Sequence, residues 1–596
     1  MKIKTPGSWL VIKIVMVALL LLHQTITFSQ ATDHLRWWDP AKNSFPVIEG
    51  QLWQNELKTP YDRLPARAEK LVRLPVWNLS QNTAGEQINF RTNAKKIVVR
   101  YVVEGALQMP HFPSTGVSGV DLYSVNNDGG WNWIGGRYSF KDTIVYTYDN
   151  PLLDNARYAS GRQYKLYLPL YNKVKWLEIG IPSTALLTPL PVRKEKPIVI
   201  YGTSIAQGGC ASRPGMAWTS ILSRKLDQPI INLGFSGNGR LEKEIIDLLV
   251  ETDARIFVLD CLPNLTDTAT YPLAEVKRRI HESVRSIRQQ HPQVPIVLTE
   301  YAVLKDDLNI SKGKTVANIN ETLHRAMDEL KAAGIKDIYL QEVKLGMDDT
   351  VDGTHPNDLG MLHYAEDYES NLRSILKEPV GVVTTTIPCT QYRDAKNYDW
   401  ATRHNELLLM NAGTPPAIVF MGNSITHYWG GMPKAPIARG ADSWQQVFEP
   451  LGVRNFGFGW DRIENVLWRV YHGELDGYNA SKIVLMIGTN NLQLNTDQEI
   501  ITGLEFLVKA IRLHQPDARV LLMGLLPRRD QEARIKGLNT LIFKLSQSLK
   551  IQGIETGALF LKKDGKLNET LFTDGLHPNA EGYQLLANFL KPKLKS

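Results

Sequence analysis

A pattern of four blocks runs along this 596-residue chain and then runs a second time. The first copy reads Gly202-Thr203-Ser204-Ile205, Gly234-Phe235-Ser236-Gly237-Asn238, Asp260-Cys261-Leu262-Pro263-Asn264 and Asp352-Gly353-Thr354-His355-Pro356-Asn357. The second reads Gly422-Asn423-Ser424-Ile425, Gly457-Phe458-Gly459-Trp460-Asp461, Gly488-Thr489-Asn490-Asn491 and Asp574-Gly575-Leu576-His577-Pro578-Asn579. Ser204 and His355 lie 151 positions apart, and Ser424 and His577 lie 153 apart. A motif of four residues arises easily by chance; four blocks in one order, twice, at matched spacing, do not. The chain is a duplication, and each copy has to bring its first and last blocks to one place.

The residues between the blocks set the fold of each copy. Ile198-Val199-Ile200-Tyr201, Ile256-Phe257-Val258-Leu259, Ile296-Val297-Leu298 and Ile338-Tyr339-Leu340 have the length and composition of buried strands, and Leu241, Ile245, Leu248 and Leu249 mark one face of a helix between them. Ile418-Val419-Phe420-Met421, Ile483-Val484-Leu485-Met486 and Val520-Leu521-Leu522-Met523 restart the series. Alternating strands and helices imply a parallel sheet covered on both sides. Residues 31–190 read differently. Short β-rich runs such as Lys96–Val103 and Tyr164–Leu168, turn residues such as Asn126-Asn127-Asp128-Gly129-Gly130, and dense aromatics predict a jelly-roll-like β-sandwich. The expected layout is a signal peptide over 1–30, the sandwich over 31–190, a first α/β domain over 191–378, a linker over 379–396 and a second α/β domain over 397–596.

Each block suits one part of an acyl-transfer site. Ser204 and Ser424 follow a buried strand at a glycine-containing turn, which points the hydroxyl to the carboxyl edge of the sheet, where open α/β sheets bind ligands. The helix that follows offers backbone N–H groups to a developing oxyanion. Serine needs a base at neutral pH, and His355 and His577 supply imidazoles. Asp352 and Asp574, three residues earlier, can fix the tautomer of the ring and stabilise the imidazolium. Asn264 and Asn490 can give side-chain N–H groups to a tetrahedral intermediate, with the backbone N–H groups of the serine and of Gly237 completing the first oxyanion hole. Taken singly, each of these residues is more often structural; the joint pattern reverses that.

The four blocks resemble those of the SGNH (GDSL-type) hydrolases. The resemblance implies a flavodoxin-like three-layer α/β fold and ester hydrolysis without metal. It places the nucleophile at Ser204 and Ser424, the oxyanion asparagine at Asn264 and Asn490, and the acid–base pair at Asp352 with His355 and at Asp574 with His577. Over residues 415–592 the second copy is similar to the platelet-activating-factor acetylhydrolase branch, in Asn455-Phe456-Gly457, Val466-Leu467-Trp468-Arg469, Gly488-Thr489-Asn490-Asn491 and Gly524-Leu525-Leu526-Pro527-Arg528. The first copy is similar to a branch in which a β-sandwich with a Gly-x-Asp-Leu-Tyr motif precedes the hydrolase; here that motif is Gly119-Val120-Asp121-Leu122-Tyr123, and Asp121 and Tyr123 are expected at the junction of the two domains. Two departures stand out. The oxyanion glycine of the second block is Trp460 in copy two, which keeps a backbone N–H but not a glycine-only geometry. In copy one, Cys261-Leu262-Pro263-Asn264 keeps the asparagine and loses the glycine before it.

Composition narrows the function. Lys2, Lys4 and Lys13 precede an apolar run from Ile14 to Leu22 and a small-residue pattern at Thr27-Phe28-Ser29, as in a cleaved export signal; the run is too short to span a bilayer. An exported, periplasmic or extracellular protein is expected, with no stable membrane insertion after cleavage. The net charge of +7 falls to +4 without residues 1–30, and no basic stripe points to nucleic acid. No His, Cys and acid cluster has metal-ligand spacing, so neither metal nor other cofactor is expected. Among the three cysteines, Cys210 and Cys261 fit either a disulfide or two buried thiols. His427, Tyr428 and Trp429 fit either a sugar-binding wall or a packed lid, and the sandwich either a scaffold or a glycan contact. The reading is an esterase with two sites, acting on an acylated small molecule or glycan and most simply on acetylated carbohydrate. The alternatives are a lipase or lysophospholipase, acyl transfer to a glycan, and a glycan-binding protein with one degenerate hydrolase domain.

Overall fold

The computed structural model describes residues 34–125, 129–149, 161–304 and 310–595. The expected signal peptide and the Asn126-Asn127-Asp128 part of one expected turn lie outside these residues.

Both α/β units form as the apolar runs require. In the first, five parallel strands run Ile198–Gly202, Ile230–Gly234, Ile256–Asp260, Ile296–Thr299 and Ile338–Gln341. In the second they run Ile418–Gly422, Val453–Gly457, Lys482–Met486, Arg519–Met523 and Gln552–Ile554. Each sheet has its second strand at one edge and its first beside it, the order 2-1-3-4-5, which is that of flavodoxin-like sheets. Side-chain alternation feeds two cores per sheet. Val199 and Tyr201 join the core on one face, whereas Ile198 and Ile200 join the core on the other. Val419 and Met421 are likewise divided from Ile418 and Phe420. Burial on both faces explains why these strands read as unbroken apolar runs.

The N-terminal unit is two antiparallel sheets around one core that includes Ile88, Phe90, Val99, Tyr164 and Leu166. One sheet joins Leu35–Trp38, Lys173–Pro182, Lys96–Glu104, Ile144–Asp149 and Arg137–Ser139; the other joins Leu187–Pro189, Gln87–Thr92, Arg162–Tyr167, Asp121–Val125 and Trp131–Ile134. The sandwich is fused to the first α/β unit. Its segment with Trp53, Leu64, Val76 and Trp77 is part of that unit's core. The Gly-x-Asp-Leu-Tyr motif sits at this junction: Asp121 pairs with Arg213 and accepts from the Gly215 N–H at 3.0 Å, while Arg213 donates to the Tyr123 hydroxyl at 2.7 Å.

The stretch 379–396, expected as a linker, lies packed on the second unit. Thr385 donates to the Glu499 carbonyl at 2.8 Å, and Gln391 donates to the Gly459 carbonyl at 2.8 Å and to Asp461 at 2.9 Å. The helix Trp400–Gly413 follows and adds Trp400 and Leu407 to the core. One device recurs in both units. Arg63, from the sandwich, donates to the Asn232 and Gly234 carbonyls at the end of the second strand, each at 2.9 Å. Arg403, from the Trp400–Gly413 helix, donates to the Asn455 carbonyl at 3.1 Å and the Gly457 carbonyl at 2.8 Å. Each unit thus has the strand that leads to its second block tied down by a buried arginine from the segment before it. Cys210 and Cys261 are not joined to each other but stand as two buried thiols, so the disulfide alternative does not hold. Among the described residues no helix is long and apolar enough to cross a membrane.

Candidate active sites

The first strand of each unit ends at its serine. Thr203 caps the short helix Ser204–Gln207, and Asn423 caps Ser424–His427, each accepting the N–H two residues on. With only four residues apiece, these helices have little macrodipole; what they offer is the serine N–H, which at a helix start has no acceptor within the helix. Ser204 and Ser424 are 8% and 7% exposed.

The fourth block reaches each serine from the opposite end of the chain segment. Ser204 Oγ lies 2.9 Å from His355 Nε2, and His355 Nδ1 lies 2.7 Å from Asp352. Ser424 Oγ lies 2.8 Å from His577 Nε2, and His577 Nδ1 lies 2.7 Å from Asp574. The other oxygen of each aspartate accepts backbone N–H groups: His355 at 2.8 Å and Thr354 at 3.0 Å, or His577 at 2.8 Å and Leu576 at 3.0 Å. A three-residue spacing therefore lets one carboxylate hold both the loop and the imidazole. Asn357 and Asn579, the last residues of the block, begin the following helices; Asn357 accepts from Leu359 and Gly360, and Asn579 from Gly582.

The second and third blocks meet beside the serine. With its amide assigned so that Oδ1 faces the second-block loop, Asn264 accepts from the Asn238 and Gly239 N–H groups at 3.0 and 3.1 Å. Asn490 Nδ2 donates to the Asp461 carbonyl at 2.9 Å and keeps a second N–H. Each asparagine is thus fastened to the loop that carries Gly237 or Trp460. Gly237 has φ +68° and Trp460 has φ +63°. The required conformation is left-handed, which non-glycine residues adopt at a cost of roughly 1–2 kcal/mol. Trp460 shares the positive φ of Gly237, and the residue is 49% exposed. The glycine-only objection does not apply.

Two side chains hold the second-block loop in a way the sequence did not indicate. Gln207 Oε1 accepts the Ser236 N–H at 2.9 Å, and His427 Nδ1 accepts the Gly459 N–H at 3.1 Å. Both stand three residues after the serine and position the same loop. His427, Tyr428 and Trp429 are all buried, so they form no sugar-binding wall. Burial, with Arg403 and Arg469 nearby, pushes the His427 pKa down to about 2, which keeps Nδ1 an acceptor. Site 1 also borrows from the sandwich: a cleft of about 480 Å³ at His355 is lined by Met109, His111, Phe112 and Tyr171 as well as Ser236 and Asn238. The His111 and His355 rings are 6.1 Å apart. At site 2, Arg439 lies over the Tyr428 ring, which is 5.8 Å from that of His577.

Electrostatics favour an ionised aspartate in both sites. Burial opposes the charge on Asp352 and Asp574, but the N–H groups and imidazoles they accept hold both below the usual carboxylate range. At His577 burial wins: it pushes the pKa below 6.5 despite Asp574, with Arg439 and Arg528 adding to the effect. Among the described residues no group of three His, Cys, Asp or Glu side chains is placed to hold a metal ion.

Comparison with known proteins agrees with this arrangement. Residues 195–373 and residues 420–585 each match a model of the GDSL-like lipase/acylhydrolase family, and residues 35–187 match the model of the N-terminus of SGNH-hydrolase-type esterases. The chain is 31% identical over 201 residues to human platelet-activating factor acetylhydrolase IB subunit alpha2, covering 32% of this chain and 81% of that protein. It is 27% identical over 189 residues to the rat alpha1 subunit, covering 31% of this chain and 77% of that protein. A solved structure from Bacteroides ovatus, designated a GDSL-like lipase, superposes with a TM-score of 0.52 at 31% identity, covering 58% of this chain and 98% of its own.

Proposed function

Because the chain belongs to the GDSL-like lipase/acylhydrolase family, carrying that domain twice behind an SGNH-esterase N-terminal domain, we propose that it is an exported serine esterase with two active sites that removes small acyl groups, acetyl first among them, from carbohydrates. The observation that carries this reading is the pair of Ser–His–Asp relays, with serine–histidine distances of 2.9 and 2.8 Å.

In each site the imidazole Nε2 takes the serine proton as Oγ attacks the ester carbonyl. The serine N–H, the N–H of Gly237 or Trp460, and the Nδ2 of Asn264 or Asn490 receive the oxyanion. The imidazolium then protonates the departing alcohol oxygen, leaving an acyl-serine. Water, deprotonated by the same histidine, releases the acid and restores the serine. The Lys2–Leu22 pattern supports export. The sugar-facing alcohol is supported at site 1 by its open cleft, in which His111 and Asn78 offer polar edges beside the Phe112 and Tyr171 rings. The substrate test is acetate release from acetylated xylan and acetylated monosaccharides, set against fatty-acid release from a lysophospholipid. Acetate release that exceeds fatty-acid release supports the carbohydrate assignment; the reverse order overturns it in favour of the lipase alternative.

Two further outcomes follow from site 2, isolated in a Ser204→Ala chain. Protonated imidazole cannot accept the serine proton, so activity is lost below the His577 pKa and gained above it. That pKa is depressed, so kcat/KM is expected to rise with pH through a midpoint below 6.5; a midpoint above that value contradicts the account. Trp460→Gly keeps the N–H in a conformation glycine adopts freely. It is expected to change kcat/KM on a small ester by less than about tenfold, where loss of an oxyanion donor costs about 10²–10³.

A further inference from the structure

Away from both serines, a cavity of about 260 Å³ lies where the sandwich meets the second α/β unit. Its floor is the outer face of one sandwich sheet. Asn89 and Arg91 alternate with core residues Ile88 and Phe90, and their partners in register, Lys165 and Gln163, alternate with Tyr164 and Leu166. On a free sheet that polar face would meet water. Here the helix Trp400–Gly413 and the segment before it form a roof that includes Trp400 and Ala401.

The face is not satisfied by its roof. Asn89 Oδ1 and Gln163 Oε1 are buried acceptors without a hydrogen-bond partner, and Lys165 Nζ and Trp131 Nε1 are buried donors without one. Asn89 and Lys165 are 7% and 2% exposed. Dry, each such group costs about 1–3 kcal/mol, a cost that a molecule which both donates and accepts would offset. The arginine charges, in contrast, are matched. Arg91 pairs with Asp399 at 2.6 Å, and Arg193 with Glu49 at 2.6 Å and Asp227 at 3.3 Å. Lys165 stands 4.5 Å over the Trp131 ring, and burial brings its pKa down to about 8. Arg91 and Arg193 are therefore already engaged within the protein, which leaves Lys165 Nζ to meet a ligand oxygen. The volume is below the roughly 300–1,000 Å³ of drug-sized clefts, and the Trp131 and Trp400 rings supply apolar surface.

We propose that this cavity binds a neutral polyhydroxy molecule of monosaccharide size, a sugar or cyclic polyol, independently of both serine sites. Its hydroxyls would donate to Asn89 and Gln163 and accept from Lys165 and Trp131, and bridging floor and roof it would hold the sandwich against the second unit. The test uses the full chain with Ser204→Ala and Ser424→Ala, so that binding is read without turnover. Titration calorimetry with a panel of neutral monosaccharides and myo-inositol should find saturable one-to-one binding. A ligand that binds only the folded chain also raises its melting temperature. Lys165→Met removes a donor, and Ala401→Trp fills the cavity from the half-buried roof without disturbing a buried charge, so a misfolded Lys165→Met protein does not end the test. Each folded variant should lose at least about tenfold in affinity, the scale of one or two hydrogen bonds. Absence of saturable binding by every panel member, which would make the cavity a water-filled interface, overturns the proposal. So does parental affinity in either folded variant.

Discussion

Replacing Asp574 by Asn in the Ser204→Ala chain is expected to lower kcat/KM for a small ester about 10²- to 10⁴-fold with little change in folding. The carboxylate does two jobs: one oxygen accepts the His577 and Leu576 N–H groups at 2.8 and 3.0 Å, the other the imidazole Nδ1 at 2.7 Å. An asparagine can keep the backbone bonds with its oxygen. Its NH₂ then faces Nδ1 and favours the tautomer with hydrogen on Nε2, which cannot take the serine proton. In a buried triad this wrong tautomer costs about 10⁴ in kcat. The Asp574 side chain is 45% exposed, and water sharing the site places the lower end of the range within reach. Steady-state kinetics with a thermal melt alongside check this, and the same change at Asp352 in the Ser424→Ala chain should behave alike. Activity within a few-fold of the parent would contradict the role given to the aspartate.

Arg469→Met is expected to be the most damaging single change to stability, by about 3–5 kcal/mol, the usual cost of removing one partner of a buried ion pair. Its guanidinium is fully buried between Asp461 at 2.9 Å and Glu474 at 2.6 Å, and Glu474 also meets His404 at 2.8 Å. Burial already pushes the Asp461 pKa up to about 6 against the pull of Arg469. Methionine leaves both carboxylates in an apolar place with less compensation. The damage reaches site 2, because Asp461 follows Trp460 and its carbonyl accepts from Asn490. Calorimetry should show the second unit melting earlier, and on warming the Ser204-dependent activity should outlast the Ser424-dependent one. An unchanged melting profile would show that the buried network is not what holds this loop.

Much of this was readable from residues, and the reasons for the exceptions are physical. Apolar runs located the first, third and fourth strands of both sheets because burial on two faces leaves no polar alternation. The second strands, Ile230–Gly234 and Val453–Gly457, escaped because Asn232 and Asn455 interrupt them. Those asparagines serve the site from inside the core: Asn232 donates to the Ala206 carbonyl at 2.6 Å, and Asn455 to that of Thr426 at 2.7 Å. The serines, histidines and aspartates were legible because their chemistry needs fixed residue types at a repeated spacing. Arg63 and Arg403 were not, since each acts through carbonyls far away in sequence. His427 read as part of a sugar-binding wall or a packed lid, yet it is the counterpart of Gln207, which becomes visible only when the two loops are compared in space. Trp460 looked like a break in the pattern because a residue type is legible in sequence and a positive φ is not.

The most direct test of two independent esterase sites is p-nitrophenyl acetate hydrolysis by four proteins: the wild type, Ser204→Ala, Ser424→Ala and the double variant. The account predicts partial loss in each single variant and abolition in the double, because each serine is served by its own histidine, His355 or His577. A folded double variant that hydrolyses the ester as fast as the wild type would contradict it.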